Sequence, residues 1–238
     1  VIPDVSYLAK NKDKIRGFLF THGHEDHIGA TPFILKDFKN VPIYGGRLTL
    51  ALIEHKMEEH CIKGIKSNVI KAGSKVKLGC FTITFLKVSH SIADAYALAI
   101  ETPVGTILHT GDFKVDYTPL DGEMMDLAAF ANLGRKGVQL LMSESTNSER
   151  PGYTMSEQRV AKSFDDLFAQ ATGRIFVATF ASNVSRIQQI IKIAESRGRK
   201  VYVAGRSLQR ITEIATEIGY LKIRKGTLLD DRQLDFVD

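Results

Sequence analysis

The sequence predicts a mixed α/β protein with two domains. Hydrophobic residues make up 44% of its 238 residues and charged residues 25%, as is ordinary for a globular chain. Short apolar segments rich in β-branched residues dominate the first part, whereas strand-like and helix-like segments alternate in the second. We therefore expect one domain over residues 1–150 and a small α/β domain over residues 151–238.

The first predicted strand leads into a cluster of metal-binding side chains. The apolar run Gly17–Phe20 follows a charged stretch and precedes His22, His24, Asp26 and His27. Three imidazoles and a carboxylate within six positions would be unfavourable through desolvation, and through repulsion once protonated, unless a cation compensates. A solvated histidine-rich turn is the alternative. The ligand chemistry favours a borderline divalent metal such as zinc.

The elements that follow the cluster alternate between helix and strand. A helix is predicted within Gly29–Phe38, with Thr31 as its cap and Pro32 in its first position. A longer helix over Arg47–Ile62 carries His55 and His60, which we expect to be exposed or structural. A helical turn is predicted over 6–11, and strands are predicted over 41–44, 67–71, 75–78, 81–88, 95–102, 106–110 and 138–142.

Two further candidate ligands stand just past the ends of apolar strands. His90 follows the strand over 81–88, and Asp112 follows the strand over 106–110. Strand ends at one edge of a sheet bring ligands from distant parts of the sequence together. Each residue has an alternative role, because His90 could cap a turn and Asp112 could begin one. The upstream cluster favours their convergence on a metal.

The second part alternates strands and helices, which predicts parallel β-α-β units. Helices are expected over 156–171, 184–197 and 208–218, and strands over 173–180 and 200–205. The loops at 181–186 and 205–207 would leave the carboxyl ends of those strands, where open α/β sheets bind ligands. Ordinary helix caps with solvated arginines are the alternative. The candidate phosphate contacts are Ser182, Asn183, Ser185, Arg206 and Ser207.

The order of the motifs resembles that of a known superfamily. His-x-His-x-Asp-His, then an isolated His, then Gly-Asp is similar to the metallo-β-lactamase superfamily. The segments 24–29, 89–94, 109–114, 143–147, 150–152 and 179–183 resemble the RNase J family, which belongs to the β-CASP group of nucleases. This resemblance implies an αβ/βα sandwich that lacks its first strands, followed by the first part of a β-CASP domain.

The resemblance also implies roles for individual residues. His22, His24 and His90 would hold one zinc, Asp26 and His27 the second, and Asp112 would bridge the two. Glu144 corresponds to the first acidic motif of the β-CASP group. It would orient a metal ligand or aid proton transfer, so the candidate catalytic residues are Asp26 and Glu144. The cofactors would be two Zn²⁺ ions, with Mn²⁺ or Mg²⁺ as an option in one site.

The implied activity is that of a zinc-dependent ribonuclease. It would act as a 5′-to-3′ exonuclease and an endonuclease in RNA processing and decay, using a hydroxide activated by two metals. Its partners would be RNA, RNA-degradation proteins and further copies of the full-length chain. The net charge of +5 agrees with a polyanionic partner. The alternatives are a small-molecule hydrolase of the same fold and a non-catalytic RNA-binding subunit.

Composition also bears on location and completeness. No apolar run reaches the roughly 20 residues that span a bilayer, so we expect a cytoplasmic protein without membrane contact. Cys61 and Cys80 are expected to be reduced packing residues. The implied fold would begin before Val1, and no histidine follows His109 to supply the last ligand. We therefore expect a fragment that is inactive or very weakly active alone.

Overall fold

The computed structural model describes residues 2–119 and 123–234. The chain divides into two compact units. The first unit comprises Val1–Val115 and Met124–Gly152, and the second comprises Asp116–Glu123 and Tyr153–Asp238. None of the described helices is long and apolar enough to cross a membrane.

Two sheets form the frame of the first unit. The smaller sheet is parallel and contains β1 (Phe18–Leu19), β2 (Ile43–Gly45) and β3 (Ser67–Val69) in that order. The larger sheet follows chain order and is antiparallel except for its last pair, β7 with β8. Its strands are β4 (Lys75–Leu78), β5 (Phe81–Lys87), β6 (Tyr96–Thr102), β7 (Gly105–His109) and β8 (Leu140–Met142).

Among the described residues, five α-helices accompany these sheets. They are α1 (Ser6–Lys10), α2 (Glu25–Ile28), α3 (Thr31–Leu35), α4 (Arg47–Glu59) and α5 (Leu127–Lys136). The pattern at α4 is clear in the sequence, because Leu48, Leu52, Ile53 and Met57 recur at helical spacing and all are buried. Helix α4 packs on β2 and β3.

Alternation along β5 builds two cores, one on each face of the larger sheet. Phe85 points toward the smaller sheet and shares a cluster with Leu19 and Tyr44. Leu86 points the opposite way and belongs to a cluster against which Phe130 of α5 packs. The layers therefore run helix, sheet, sheet, helix. This order confirms the two-sheet sandwich expected from the resemblance.

The second unit contains less sheet than the sequence suggested. Its elements are α6 (Glu157–Gln170), α7 (Val184–Ser196), β9 (Val201–Tyr202), α8 (Arg206–Glu217) and β10 (Leu228–Leu229), and β9 pairs with β10 in parallel. The strand predicted over 173–180 is wrong, because this segment pairs with no strand among the described residues. Its apolar residues Phe176 and Phe180 are consequently 91% and 85% exposed.

Smaller differences concern caps and cysteines. Thr31 lies inside α3 rather than at its cap, and its hydroxyl donates to the carbonyl of Ile28 at 2.7 Å. Cys61 and Cys80 are free but exposed, so their predicted packing role is wrong.

Helix α5 and strand β10 are additions that the sequence pattern did not reveal. The helical turn predicted over 6–11 is confirmed by α1.

Candidate metal centre

Three segments of the first unit, at 22–27, 90 and 112, bring the predicted ligands together. Among the described residues, one group comprises His22, His24, His90 and Asp112, and a second comprises Asp26, His27 and Asp112. In each group the candidate ligand atoms all lie within 4.8 Å of one another. The strand ends therefore converge as the sequence predicted, while the metal-binding role of these residues stays a prediction.

His22 is the most deeply buried member of the cluster. Its side chain has no solvent exposure, and the Thr21 hydroxyl lies 3.1 Å from its Nδ1. Its Nε2 is buried without a hydrogen-bond partner among the described residues. A proton on Nε2 would be a buried donor without an acceptor, so the favoured tautomer donates from Nδ1 to Thr21. That tautomer leaves an Nε2 lone pair directed into the cluster.

His24 and His90 face each other through ring nitrogens. His90 Nε2 lies 3.0 Å from His24 Nδ1, and the Ser91 hydroxyl lies 3.3 Å from His24 Nε2. Donation from Nε2 to Ser91 would free Nδ1 of His24 as a ligand atom. With these tautomers, Ser91 and Thr21 would hold two of the imidazoles in a ligating orientation.

Asp112 directs its two oxygens toward different groups. Its Oδ2 lies 3.9 Å from Nε2 of both His22 and His90, and its Oδ1 lies 3.4 Å from Nε2 of His27. Asp26 approaches the same His27 nitrogen at 3.5 Å through its Oδ2. One carboxylate is therefore shared by the two groups, as a bridging ligand requires.

The histidines of the larger group resist protonation. Burial, followed by the neighbouring His27, His90 and His24, lowers the pKa of His22 from 6.5 to about 2. Burial and then His24 lower the pKa of His90 to about 4, against the opposing influence of Asp112 and Glu144. Burial also lowers the pKa of His24. All three rings are neutral near pH 7, which is the form that binds metal.

The residues of both groups suit a divalent cation. Nε2 of His22 is buried without a hydrogen-bond partner among the described residues, and it lies in one group with the facing nitrogens of His24 and His90. A bound cation would give the lone pair of His22 Nε2 a partner. Neutral imidazole with carboxylate is a good ligand set for zinc and similar metals. The chemistry of the donor set therefore fits the metal that the sequence predicted.

Glu144 contacts the loop that carries Asp112. Its Oε1 accepts from the backbone N–H of Phe113 at 3.0 Å, and its Oε2 accepts from that of Thr146 at 3.1 Å. Burial raises the pKa of Glu144, but the hydrogen bonds from Thr146 and Phe113 outweigh burial and lower it overall. An ionised carboxylate with both oxygens engaged is suited to positioning Asp112 and poorly suited to donating a proton.

Glycines allow the loops to approach one another closely. Gly111 has a φ of +58°, and a Cβ there would lie 3.0 Å from the Cβ of Thr21. A Cβ on Gly23 would lie 2.9 Å from Leu52 Cδ1 of α4. Glycine at 111 thus lets the loop of Asp112 approach Thr21, which adjoins His22, and glycine at 23 lets the loop of His22 approach α4.

Sequence reasoning missed the hydroxyl partners of the histidines. Thr21 and Ser91 each adjoin a predicted ligand, and that adjacency was the only available signal. The missed backbone link is an isolated antiparallel bridge between Ser89 and Lys114, with the Lys114 N–H donating to the Ser89 carbonyl at 2.8 Å. This bridge joins the loop of His90 to the loop of Asp112.

The candidate phosphate contacts lie in the second unit. Asn183 is the N-cap of α7, and its side chain accepts from the N–H of Arg186. This residue is therefore an ordinary helix cap, which was the alternative to a phosphate contact. Arg206 and Ser207 are exposed in the first turn of α8, while Ser182 and Ser185 are half-buried. Because 173–180 is not a strand, the two loops do not leave neighbouring strands. Their contact with phosphate stays a prediction.

Comparisons with known proteins agree with this arrangement. The model of the beta-lactamase superfamily domain matches residues 3–146, and the model of the ribonuclease J beta-CASP domain matches residues 172–238. The chain is 47% identical to Ribonuclease J of Thermus thermophilus, over 94% of this chain and 40% of that protein. It is 46% identical to Ribonuclease J of Helicobacter pylori, over 98% of this chain and 34% of that protein.

A solved structure supports the fold. A protein of unknown function from Enterococcus faecalis superimposes with a TM-score of 0.64 at 20% identity, over 87% of this chain and 50% of that one. The chain thus spans between a third and two fifths of the length of these ribonuclease relatives. It belongs to the beta-lactamase superfamily, and its residues 172–238 match the beta-CASP domain of ribonuclease J.

Proposed function

We propose that the protein is a metal-dependent ribonuclease that hydrolyses phosphodiester bonds. The observation that carries this proposal is the sharing of Asp112 between the two groups of candidate ligands. Paired sites with a common carboxylate are typical of enzymes that act on phosphate esters. The relatives named Ribonuclease J supply the substrate class, which is RNA.

The proposed roles follow the geometry. His22, His24 and His90 would hold one ion, Asp26 and His27 the other, and Asp112 would contact both. Two such ions supply Lewis acidity toward the phosphoryl oxygens and lower the pKa of water. The depressed pKa values of His22 and His90 keep these side chains available as ligands at neutral pH.

Glu144 and two hydroxyl residues would hold the ligands in place. Glu144 fixes the backbone after Asp112 by accepting from the N–H of Phe113. Thr21 and Ser91 would fix the tautomers of His22 and His24. Of the two roles considered for Glu144, we propose orientation of the Asp112 loop, because both of its oxygens already accept backbone hydrogen bonds.

The finer features of the proposal rest on the relatives and on ligand chemistry. Zinc suits the three-histidine group, and Mn²⁺ or Mg²⁺ suits the carboxylate-containing group as an option. We propose 5′-to-3′ exonuclease and endonuclease activity in RNA processing and decay, in the cytoplasm, by a self-associating full-length protein. Ser182, Asn183, Ser185, Arg206 and Ser207 are proposed to contact RNA phosphates.

Metal content and RNA turnover together test the proposal. The protein is purified without chelator, its zinc and manganese are quantified, and it is incubated with a 5′-monophosphorylated RNA. We expect about two ions per chain and turnover that is lost on chelation and restored by metal. The 238-residue chain and the full-length protein are compared, and we expect turnover from the full-length protein only.

Three outcomes would contradict parts of this proposal. Metal with hydrolysis of a lactone or thioester but not RNA would favour the small-molecule hydrolase. RNA retention with neither metal nor turnover would favour the non-catalytic binder. Robust turnover by the 238 residues alone would contradict the expectation that they are inactive.

A further inference from the structure

We infer that Asp94 is a positioning residue for His90, because it caps helix α4 from a different loop and thereby anchors the loop that carries His90. This inference rests on the metal site of the proposed function and deepens it. Asp94 lies four residues after His90, in the same loop. Its effect would pass through the backbone between them.

The cap is a contact between distant parts of the chain. Oδ2 of Asp94 accepts from the backbone N–H of Leu48 at 3.0 Å, across 46 residues of sequence. Leu48 is the second residue of α4, and the helix's own N-cap, Gly46, supplies no side-chain hydrogen bond. Asp94 thus satisfies a donor that the helix leaves open, and its charge lies at the favourable end of the helix dipole.

The two loops meet so closely that only glycine fits at position 46. A Cβ on Gly46 would lie 2.3 Å from Cβ of Asp94 and 2.9 Å from its Cγ. The φ of Gly46 is −63°, which any residue adopts, so the requirement for glycine comes from this contact and not from the backbone angle. Asp94 itself has a φ of +58°, a region that Asp and Asn tolerate better than most residues.

The segment that holds His90 is fastened at both ends. The N–H of Val88 donates to the carbonyl of Ala95 at 3.2 Å, which closes the loop at its base. The Ser89–Lys114 bridge ties the start of the loop to the loop of Asp112. Asp94 supplies the attachment to α4 at the far end. With these attachments His90 Nε2 is held 3.0 Å from His24 Nδ1.

Helix α4 also contacts the backbone between His22 and His24. A Cβ on Gly23 would lie 2.9 Å from Leu52 Cδ1 and 3.4 Å from Cδ1 of the buried Ile92. Helix α4 therefore contacts the loop of His22 through Leu52 and the loop of His90 through Asp94. Loss of the cap would leave the first loop in place and release the second. The consequence would be weaker metal binding by the three-histidine group alone.

Cobalt binding by paired variants of the full-length protein tests this inference. Co²⁺ is titrated and followed by its visible absorption in a His27→Ala background, where the three-histidine group remains complete. Asp94→Gly keeps the positive φ but removes the acceptor, and we expect about tenfold weaker binding, as for other residues that orient metal ligands. Asp94→Asn keeps both the φ preference and an acceptor, and we expect affinity close to that of the background protein.

Gly46→Ala approaches the same contact from the other side. We expect it to weaken Co²⁺ binding, because the added methyl group would displace Asp94. The double variant Asp94→Gly, Gly46→Ala has no Asp94 side chain for the added methyl group to contact. It should therefore bind Co²⁺ no more weakly than Asp94→Gly alone. Circular dichroism of the metal-free proteins checks that each variant is folded.

A second background separates positioning from general damage. With His90→Ala, only the group of Asp26, His27 and Asp112 remains complete, and Asp94→Gly should leave its Co²⁺ binding unchanged. Equal losses in both backgrounds, equal losses for the Asn and Gly variants, or no loss with Asp94→Gly would each overturn the inference. Absence of Co²⁺ binding by the parent would overturn the proposed metal site, and this inference with it.

Discussion

His90 Nε2 lies 3.0 Å from His24 Nδ1 although the two residues are 66 positions apart. We predict that His90→Ala removes about one of two bound metal ions, because the three-histidine group loses a ligand that no other described residue replaces. Metal analysis of the purified variant measures the change. His60→Ala is the matched control, since His60 is exposed and its ring packs edge-on against Phe33 outside both groups. Equal metal loss in the two variants would contradict the assignment.

Substitution of Asp112 should change metal binding by both groups, whereas substitution of Asp26 should change it in only one. We predict that Asp112→Asn lowers the affinity of both metal sites, because an amide offers a single oxygen where the carboxylate directs two. Asp26→Asn should weaken only the site that contains His27. Competition with a chromophoric chelator resolves the two affinities. An Asp112→Asn protein with one unaffected site would argue against sharing.

Glu144 variants distinguish positioning from proton transfer. We predict that Glu144→Ala lowers ribonuclease activity about 10- to 100-fold and that Glu144→Gln lowers it less, because the amide retains one acceptor for the backbone of Phe113 or Thr146. The pH–rate profile should keep its shape in both variants. Loss of one limb of that profile, with Gln no better than Ala, would assign proton transfer to Glu144 instead.

Acid should destabilise the metal-free protein through His22 and His90. Their pKa values are near 2 and 4 in the folded state and 6.5 in the unfolded state, so below pH 6.5 the unfolded chain binds more protons. Protonation of these two side chains therefore has no effect on the free energy of unfolding well above pH 6.5. It lowers that free energy as the pH falls from 6.5 toward 4. Thermal unfolding between pH 8 and pH 5 measures this effect. His22→Asn should reduce the pH dependence and His60→Asn should not; an equal reduction in both would contradict the prediction.

The hydroxyl of Thr21 should matter for metal binding and that of Thr49 should not. Thr21→Val removes the partner of His22 Nδ1, and we predict about tenfold weaker metal affinity. Thr49→Val is the matched control, because the Thr49 hydroxyl is also buried and has no hydrogen-bond partner among the described residues. Isothermal titration with Zn²⁺ measures both variants. Similar losses in the two would show that the exchange of any buried hydroxyl for a methyl group, and not loss of the bond to His22, weakens binding.

Local patterns were sufficient to predict much of the first unit and the convergence of the candidate ligands. The alternation along β5 is visible in the sequence because one face of that strand packs on each core. His90 and Asp112 were found because each follows an apolar strand. The contacts that hold them were not predictable, since the bond from Leu48 to Asp94 joins residues 46 positions apart.

The second unit shows where such patterns mislead. Residues 173–180 have the composition of a buried strand, yet no described strand pairs with them and Phe176 is 91% exposed. Strand propensity expresses packing against neighbours, which a single segment does not reveal. The exposed Cys61 and Cys80 make the same point, because residue type alone does not determine burial.

The close approach at Gly46 and Gly111 has a consequence for protein engineering. Transplanting the histidines and carboxylates onto another scaffold would not reproduce the cluster, because its geometry also depends on positions that have no side chain at all. A successful graft would need both glycines, the hydroxyl neighbours Thr21 and Ser91, and a helix end placed to meet Asp94. The smallest transferable unit is therefore the set of loops together with α4, and not the motif.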